Sequence, residues 1–304
     1  MAEPAAPGRI LIIFNPVAGW RRRRKLNKAI RVFRDRNIAF DVHETRWPND
    51  AAEVARDVDG RYDTVVSAGG DGTINEIVNG LMVRAELGKE VPPLGILPLG
   101  TANVLAAELG MPRRPADAAA AFLEGRLGEI HLGVANGRYF ALMAGAGFDA
   151  YVVSHVKVRL KRYVGKAAYL LETLSRLIAY PGDLYRVTVD GREMTAASVV
   201  VAKSHFYGGR FVLAPGASLT RPDLQVCLFE TAGRRSALRY MAAMLLGRLS
   251  RLDDYRVVPA TRVAIHGAAD APVQADGDIV ATLPLEIAVA PRTLKVVVPR
   301  GYSQ

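Results

Sequence analysis

The densest chemical signal in the chain is Ser67-Ala68-Gly69-Gly70-Asp71-Gly72-Thr73-Ile74-Asn75-Glu76. Gly69, Gly70 and Gly72 let backbone N–H groups approach an anion with no Cβ in the way. An apolar run, Tyr62 to Val66, leads in and reads as a buried strand. Ile74, Ile77, Val78 and Leu81 fall on one face of a helix leading out. A strand, a glycine turn and a helix N-terminus together suit a phosphate group. Bare phosphate would repel Asp71, so its presence points to a metal ion or water between them. Thr73 and Glu76 have capping-box spacing, which starts the helix at Thr73. The block lacks the Lys-Ser/Thr of a Walker A loop and is not G-x-G-x-x-G. The plain alternative is a Gly-Asp-Gly turn joining strand to helix.

The neighbouring elements repeat the pattern. Arg9 to Phe14 reads as a strand, followed by the turn Asn15-Pro16-Val17-Ala18-Gly19. The basic block Arg21 to Lys25 opens a helix to about Asp35, with Leu26, Ile30 and Phe33 as its apolar face. That block suits phosphate or lipid head groups, or is a solvated surface; its charges oppose the helix dipole unless an anion is close. Phe40 to Glu44 is a second strand ending at Thr45, and Asp50 to Val58 a short helix. Leu94 to Leu97 is a further strand. Pro98-Leu99-Gly100-Thr101-Ala102-Asn103 follows, with Thr101 as the N-cap of a helix to Leu109. Strands alternating with helices imply a parallel sheet, and loops at strand C-termini share one crevice. Asn15, Thr45, Gly69 to Thr73 and Thr101 therefore converge.

At 304 residues, two domains are expected. Half the residues are hydrophobic, enough for two cores. The single cysteine, Cys227, excludes an internal disulfide framework and sits in the apolar run Leu224 to Phe229 as a buried strand residue. Met1-Ala2-Glu3-Pro4 lacks the basic start of a signal peptide, and no apolar run reaches the roughly 18 residues of a membrane span. A cytoplasmic protein is the expectation. The net charge of +10 favours anionic partners. Nucleic acid ranks last among them, because the basic residues lack interleaved aromatics.

After about Gly125 the pattern becomes mostly antiparallel β. Asn136-Gly137 and Asp190-Gly191 are hairpin turns, flanked by Glu129 to Ala135 and Arg138 to Met143, and by Leu184 to Val189 and Arg192 to Ala202. Arg256 to Val258, Arg262 to Ile265, Val273 to Ala275, Leu285 to Ala290 and Leu294 to Val298 read as further strands. Two helical insertions, Tyr151 to Tyr180 and Arg235 to Leu249, interrupt them. The first begins with Lys157, Arg159, Lys161, Arg162 and Lys166 and continues through Leu170, Leu171, Leu174 and Leu177. Such a helix suits a membrane interface or packs on its own domain.

In order along the chain, Asn15-Pro16-x-x-Gly19, Gly69 to Glu76, Pro98 to Asn103 and Gln274-Ala275-Asp276-Gly277-Asp278 resemble the diacylglycerol kinase catalytic family. This family includes bacterial diacylglycerol kinases and YegS-like lipid kinases, with sphingosine and ceramide kinases as relatives. The second block is shared with NAD kinases and phosphofructokinases. The resemblance implies an N-terminal three-layer α/β nucleotide domain, about 1–127 with a strand returning from about 292–304. It implies a C-terminal β-sandwich with helical insertions, about 128–291, carrying the lipid site.

ATP with Mg2+ would lie in the cleft. By position, Asn15, Pro16, Gly19, Thr45, Gly69, Gly70, Asp71, Gly72, Thr73, Asn75, Glu76, Thr101 and Asn103 match the family's ATP-binding residues, with Asp71 reaching the metal through ATP. The family's base lies in an Asp-Gly-Glu motif, which here is Asp276-Gly277-Asp278, one methylene shorter at the last acid. Many bacterial members also hold a structural Mg2+ at an Asp-Gly turn after an Ala-Pro-x-Ala stretch. Here Arg221 stands about where that acid is expected, with Asp223 nearby, so this metal site is expected to be absent. The implied activity is γ-phosphate transfer to a lipid hydroxyl, diacylglycerol giving phosphatidate, by a peripheral protein on anionic membrane. Ceramide or sphingoid-base phosphorylation, an NAD kinase-like activity and a catalytically weak lipid- or nucleotide-binding regulator are the alternatives. The oligomeric state stays open, a homodimer included.

Overall fold

The computed structural model describes residues 8–16, 20–155 and 183–302. The chain divides into two compact units, Met1–Leu132 with Pro291–Gln304, and Gly133–Ala290. Gly19 and the basic and leucine-rich positions 157–177 lie outside the described residues.

The first unit alternates strand and helix: β1 (Arg9–Phe14), α1 (Trp20–Asp35), β2 (Ala39–Glu44), α2 (Asp50–Arg56), β3 (Thr64–Gly69), α3 (Asp71–Glu86), β4 (Leu94–Pro98), α4 (Val104–Glu108) and α5 (Pro115–Leu123). The strands pair in parallel in the order β2-β1-β3-β4, and the chain's final strand completes the sheet where Val296 meets Leu94. Every residue of β3 and β4 is buried, so both sheet faces are covered, as a parallel sheet requires. α1 packs on α5 through the Phe33 and Phe122 rings, whose centroids are 5.9 Å apart. Burying each ring contributes about 2–3 kcal/mol. α2 and α3 approach closely because Gly80 has no side chain; a Cβ there would lie 2.2 Å from the Ala52 carbonyl oxygen. α5, which begins on Pro115, had no counterpart in the sequence reading.

The second unit takes up β5 (Arg126–Ala135) at Gly133 and continues with β6 (Arg138–Phe140), β7 (Met143–Ala146), α6 (Phe148–His155), β8 (Tyr185–Val189), β9 (Arg192–Ala196), β10 (Ser198–Ala202), β11 (Phe206–Tyr207), β12 (Phe211–Val212) and β13 (Leu224–Phe229). α7 (Arg234–Leu245), β14 (Tyr255–Ala260), β15 (Arg262–His266), β16 (Pro272–Ala275), β17 (Asp278–Thr282) and β18 (Leu285–Val298) follow. One antiparallel sheet runs β18-β15-β8-β9, the other β14-β13-β10-β7-β16-β17. Val187, Val263 and Ile265 of the first and Val199, Val226 and Val273 of the second share one core, so the unit is a sandwich.

Four of the expected strands differ in the structure. Arg138 to Met143 is two strands, because the chain leaves β6 at Phe140 and enters the other sheet at Met143. Arg192 to Ala202 likewise breaks at Ala197, whose N–H bonds the Phe229 carbonyl instead of β8. Leu285 to Ala290 and Leu294 to Val298 are one strand.

Candidate active site

In the first unit, four strand ends lie side by side and are stitched together by main-chain bonds. Thr45 donates its N–H to the Phe14 carbonyl at 2.9 Å, and Asn15 donates to Ala68 at 3.4 Å. Leu99 and Gly100 both donate to the Gly69 carbonyl, at 3.0 and 2.9 Å. Asn15, Thr45, Gly69 to Thr73 and the Gly100–Asn103 loop therefore meet along one edge.

Gly70 and Gly100 touch back to back. A Cβ on Gly100 would come 2.4 Å from the Gly70 Cα, so no side chain fits. The result is a bare main-chain surface at the N-terminus of α3, a 16-residue helix whose dipole favours an anion. Asn103 turns its Nδ2 to the carbonyls of Gly100 (3.0 Å) and Pro98 (3.4 Å), leaving its Oδ1 buried without a partner. These features fit a phosphate-bearing ligand with polar donors of its own.

The caps differ from those the sequence suggested. α3 starts at Asp71, not Thr73, with Gly70 as an extended N-cap (φ −108°, ψ −173°). Thr73 lies within the first turn, and its Oγ1 accepts from Asn15 Nδ2 at 3.2 Å instead of capping. α4 is capped not by Thr101, which is exposed, but by Asn103 in the left-handed region at φ 51°. The side-chain acceptor at that helix start comes from elsewhere in the chain. Asp71 Oδ1 takes the N–H of Leu105 at 3.2 Å. Burial raises the Asp71 carboxyl above its ordinary value, and the surrounding amides pull it back.

Other expected residues divide by exposure. Gly72 is exposed and Glu76 half-buried, while Asn75 is interior, its Oδ1 and carbonyl accepting from Asn79 Nδ2. Arg23 of the basic block makes a bidentate pair with Glu44, at 2.8 and 2.6 Å, and Arg24 lies 5.0 Å from the Trp20 ring centroid. An anion near the start of α1 is thus supplied in part by Glu44. Sequence reasoning missed Asp50, buried at the start of α2, which accepts from Arg46 N–H at 2.8 Å and meets His43 Nε2 at 3.0 Å. It anchors the loop that follows Thr45. An acid in the first turn of a helix was the available signal.

In the second unit, the Asp276-Gly277-Asp278 turn joins β16 to β17. Asp276 sits at φ 49° and Gly277 at φ 86°. The Asp276 carboxylate accepts three main-chain bonds, from Ala141 (2.9 Å), Leu142 (2.9 Å) and Met143 (3.0 Å). Its own N–H returns to the Met143 carbonyl. Those bonds hold the crossing between β6 and β7. Asp278, two residues on, is exposed. Of the two acids, it is the more exposed, Asp276 being half-buried. Cys227 lies fully buried in β13, and burial pushes its thiol up to about 12, which excludes it as a nucleophile.

Residues 9–135 match the family model described as the diacylglycerol kinase catalytic domain, and 143–298 match the YegS C-terminal NAD kinase beta sandwich-like domain. A diacylglycerol kinase of Bacillus subtilis is 30% identical over 303 residues, covering 97% of this chain and 98% of that protein. One from Mycobacterium tuberculosis is 32% identical over 275 residues, 86% and 84% of the two chains. A lipid kinase described as YegS-like from Yersinia enterocolitica is 30% identical over 232 residues, 73% and 75%. A solved diacylglycerol kinase structure from Bacillus anthracis superposes with a TM-score of 0.74 at 21% identity, over 98% of this chain and 99% of that one. At that identity the structural likeness speaks for the fold alone.

Proposed function

This chain belongs to the diacylglycerol kinase catalytic family, and from that premise we propose that it transfers the γ-phosphate of ATP to the hydroxyl of diacylglycerol, giving phosphatidate. The observation that carries the reading is the pairing of two features on one chain: a side-chain-free phosphate cradle at Gly70 and Gly100, and an exposed carboxylate at Asp278 held by a locked turn.

The chemistry divides between the units. Main-chain N–H groups at the start of α3 bind and orient the nucleotide's phosphates. Asp71 is the acid that would hold the Mg2+ arriving with ATP, and the ion would neutralise charge on the phosphates. The lipid hydroxyl oxygen attacks the γ-phosphorus, the bond to the β–γ bridging oxygen breaks, ADP leaves, and the hydroxyl proton passes to Asp278. Asp276 keeps the turn in place.

The lipid is reached from the membrane surface. Among the described residues, no helix is long and apolar enough to cross a membrane. α7 buries Ala237, Tyr240 and Ala243 and turns Leu238 and Leu245 outward, with Leu246 just beyond it 68% exposed. Arg234, Arg235, Arg239, Arg248 and Arg251, all exposed, belong to the same stretch of chain, Arg239 being paired with Asp254. Arg235, Arg239 and Arg251, with Asp253 and Asp254, line a cleft of about 550 Å³ beside the helix. β12, which packs beside α7, adds exposed Phe211 and Val212. Exposed leucines and arginines on one stretch fit an anionic bilayer, whose head groups meet the cations while the apolar side chains enter the interface. A second copy of the same face would be repelled by like charge.

Release of ADP from Mg2+-ATP should rise when diacylglycerol is supplied in mixed micelles and stay flat with NAD. A rise with NAD and none with lipid would favour the NAD kinase-like alternative.

A further inference from the structure

One buried cation takes no part in the chemistry above. Lys203, just past β10, has no exposed surface at all. Its Nζ donates to three main-chain carbonyls of a single loop, those of Ser218, Arg221 (2.5 Å) and Asp223 (3.1 Å). An ammonium has three donors and no acceptor, so the match is complete. The same residue's main-chain N–H bonds the Leu142 carbonyl at 2.7 Å, and the Leu142 N–H bonds Asp276. Lys203 thus ties the 218–223 loop to the segment that fixes the acidic turn.

Converging carbonyl oxygens are the ligands that hard divalent cations take. This loop is also the one where the family resemblance implies a structural Mg2+. The residues do not fit that ion. The ammonium already occupies the point where the carbonyls converge. The Arg221 guanidinium lies at the same loop, 3.3 Å from Asp223 Oδ1 and bonded to the Gly216 carbonyl. Two fixed positive charges would oppose a divalent cation at any reachable distance. Among the described residues, no group of three or more His, Cys, Asp or Glu forms a candidate metal cluster. Burial draws the Lys203 pKa down to about 8, Asp223 pulling it up again and Arg221 lowering it, so the group is still mostly cationic at neutral pH.

We propose that the Lys203 ammonium replaces the structural metal in this chain, so that the 214–223 loop folds without a divalent ion. Lys203 is then a positioning residue for the acidic turn. Mg2+ is needed only with the nucleotide.

The test is thermal unfolding of the full chain without nucleotide, in EDTA and in millimolar Mg2+. Stability is the readout, so the outcome does not depend on which lipid, if any, is phosphorylated. Wild type should unfold at the same temperature in both buffers; a rise with Mg2+ overturns the proposal. Lys203→Met leaves three carbonyls without a donor and should lower Tm by several degrees, with no recovery in Mg2+. A variant as stable as wild type, or one restored by Mg2+, also overturns it. If that variant does not fold, the wild-type comparison still decides. The double variant Lys203→Asn with Arg221→Asp removes both positive charges and supplies oxygen ligands. Its Tm should rise with Mg2+, and a flat response contradicts the claim that ammonium and metal compete for one place.

Discussion

The Asp71 carboxylate accepts the Leu105 amide at 3.2 Å, so the first residue of one helix supplies the side-chain acceptor at the start of another. This bond joins the two loops that form the proposed phosphate cradle. It separates a structural from a chemical role. Asp71→Asn keeps an oxygen acceptor for Leu105 and should unfold no earlier than wild type, yet lose most phosphate transfer. Asp71→Ala loses the acceptor as well and should cost about 1 kcal/mol in denaturant unfolding. Full turnover in Asp71→Asn would remove Asp71 from the nucleotide site.

The same residue sets a pH dependence. Burial raises the Asp71 carboxyl above its unfolded value of 3.8, so the folded state favours the protonated form. That stabilisation is complete below pH 3.8 and is lost as pH rises through the raised folded pKa. Asp71→Asn cannot ionise. Its stability relative to wild type should therefore increase as pH rises across that window, measured by urea unfolding at a series of pH values. A gap that shrinks with rising pH would contradict the assignment.

Asp276 and Asp278 should separate cleanly. Asp276 holds three amides, and hydrogen bonds to a charged group are worth about 1.5–3 kcal/mol each, so Asp276→Ala should lower stability by about 3 kcal/mol or more. Asp278→Asn changes an exposed residue and should leave Tm unchanged while lowering kcat about 100- to 10,000-fold. Asp278→Glu should keep substantial activity. An Asp278→Asn enzyme of wild-type rate would return the proton acceptor to another group.

Gly100→Ala should damage nucleotide binding more than its size suggests. The added methyl meets the Gly70 Cα at 2.4 Å, which is backbone and cannot swing away, and Asn103 Oδ1 at 2.6 Å. Forcing the loops apart should cost about 1–3 kcal/mol and weaken ATP binding in calorimetry. Unchanged ATP affinity would show that the cradle is not where the phosphates lie.

The docking face should fail without the chemistry failing. Replacing Leu238, Leu245 and Leu246 together by Ser should reduce sedimentation with phosphatidylglycerol vesicles. ADP release with a short-chain, soluble diacylglycerol should stay at the wild-type rate. Undiminished sedimentation would place the membrane contact elsewhere.

The parallel half of the fold was legible because Ile10 to Phe14, Val65 to Val66 and Leu94 to Leu97 are apolar on both sides, and only a covered sheet accommodates such runs. The hairpins at Asn136-Gly137 and Asp190-Gly191 were legible because both central residues need positive φ, which the structure has at all four. Helix starts misled, since local spacing implicated Thr73 and Thr101 while the bond at the start of α4 comes from Asp71, 34 residues away. Roles that depend on distant main chain leave no local trace. Asp276 bonds amides 133 to 135 residues back, and Lys203 reads carbonyls 15 to 20 residues ahead. The Asp276-Gly277-Asp278 turn was located from sequence, while the proposed division of labour within it rests on which carboxylate the main chain holds.

The most direct test of the central claim is transfer of labelled γ-phosphate from ATP in the presence of Mg2+ into mixed micelles, with diacylglycerol, ceramide, sphingosine and phosphatidylglycerol in parallel and NAD as control. The account predicts label in phosphatidate from the diacylglycerol micelles, abolished in Asp278→Asn. Label in NAD, or none in any lipid while ATP still binds, would contradict it.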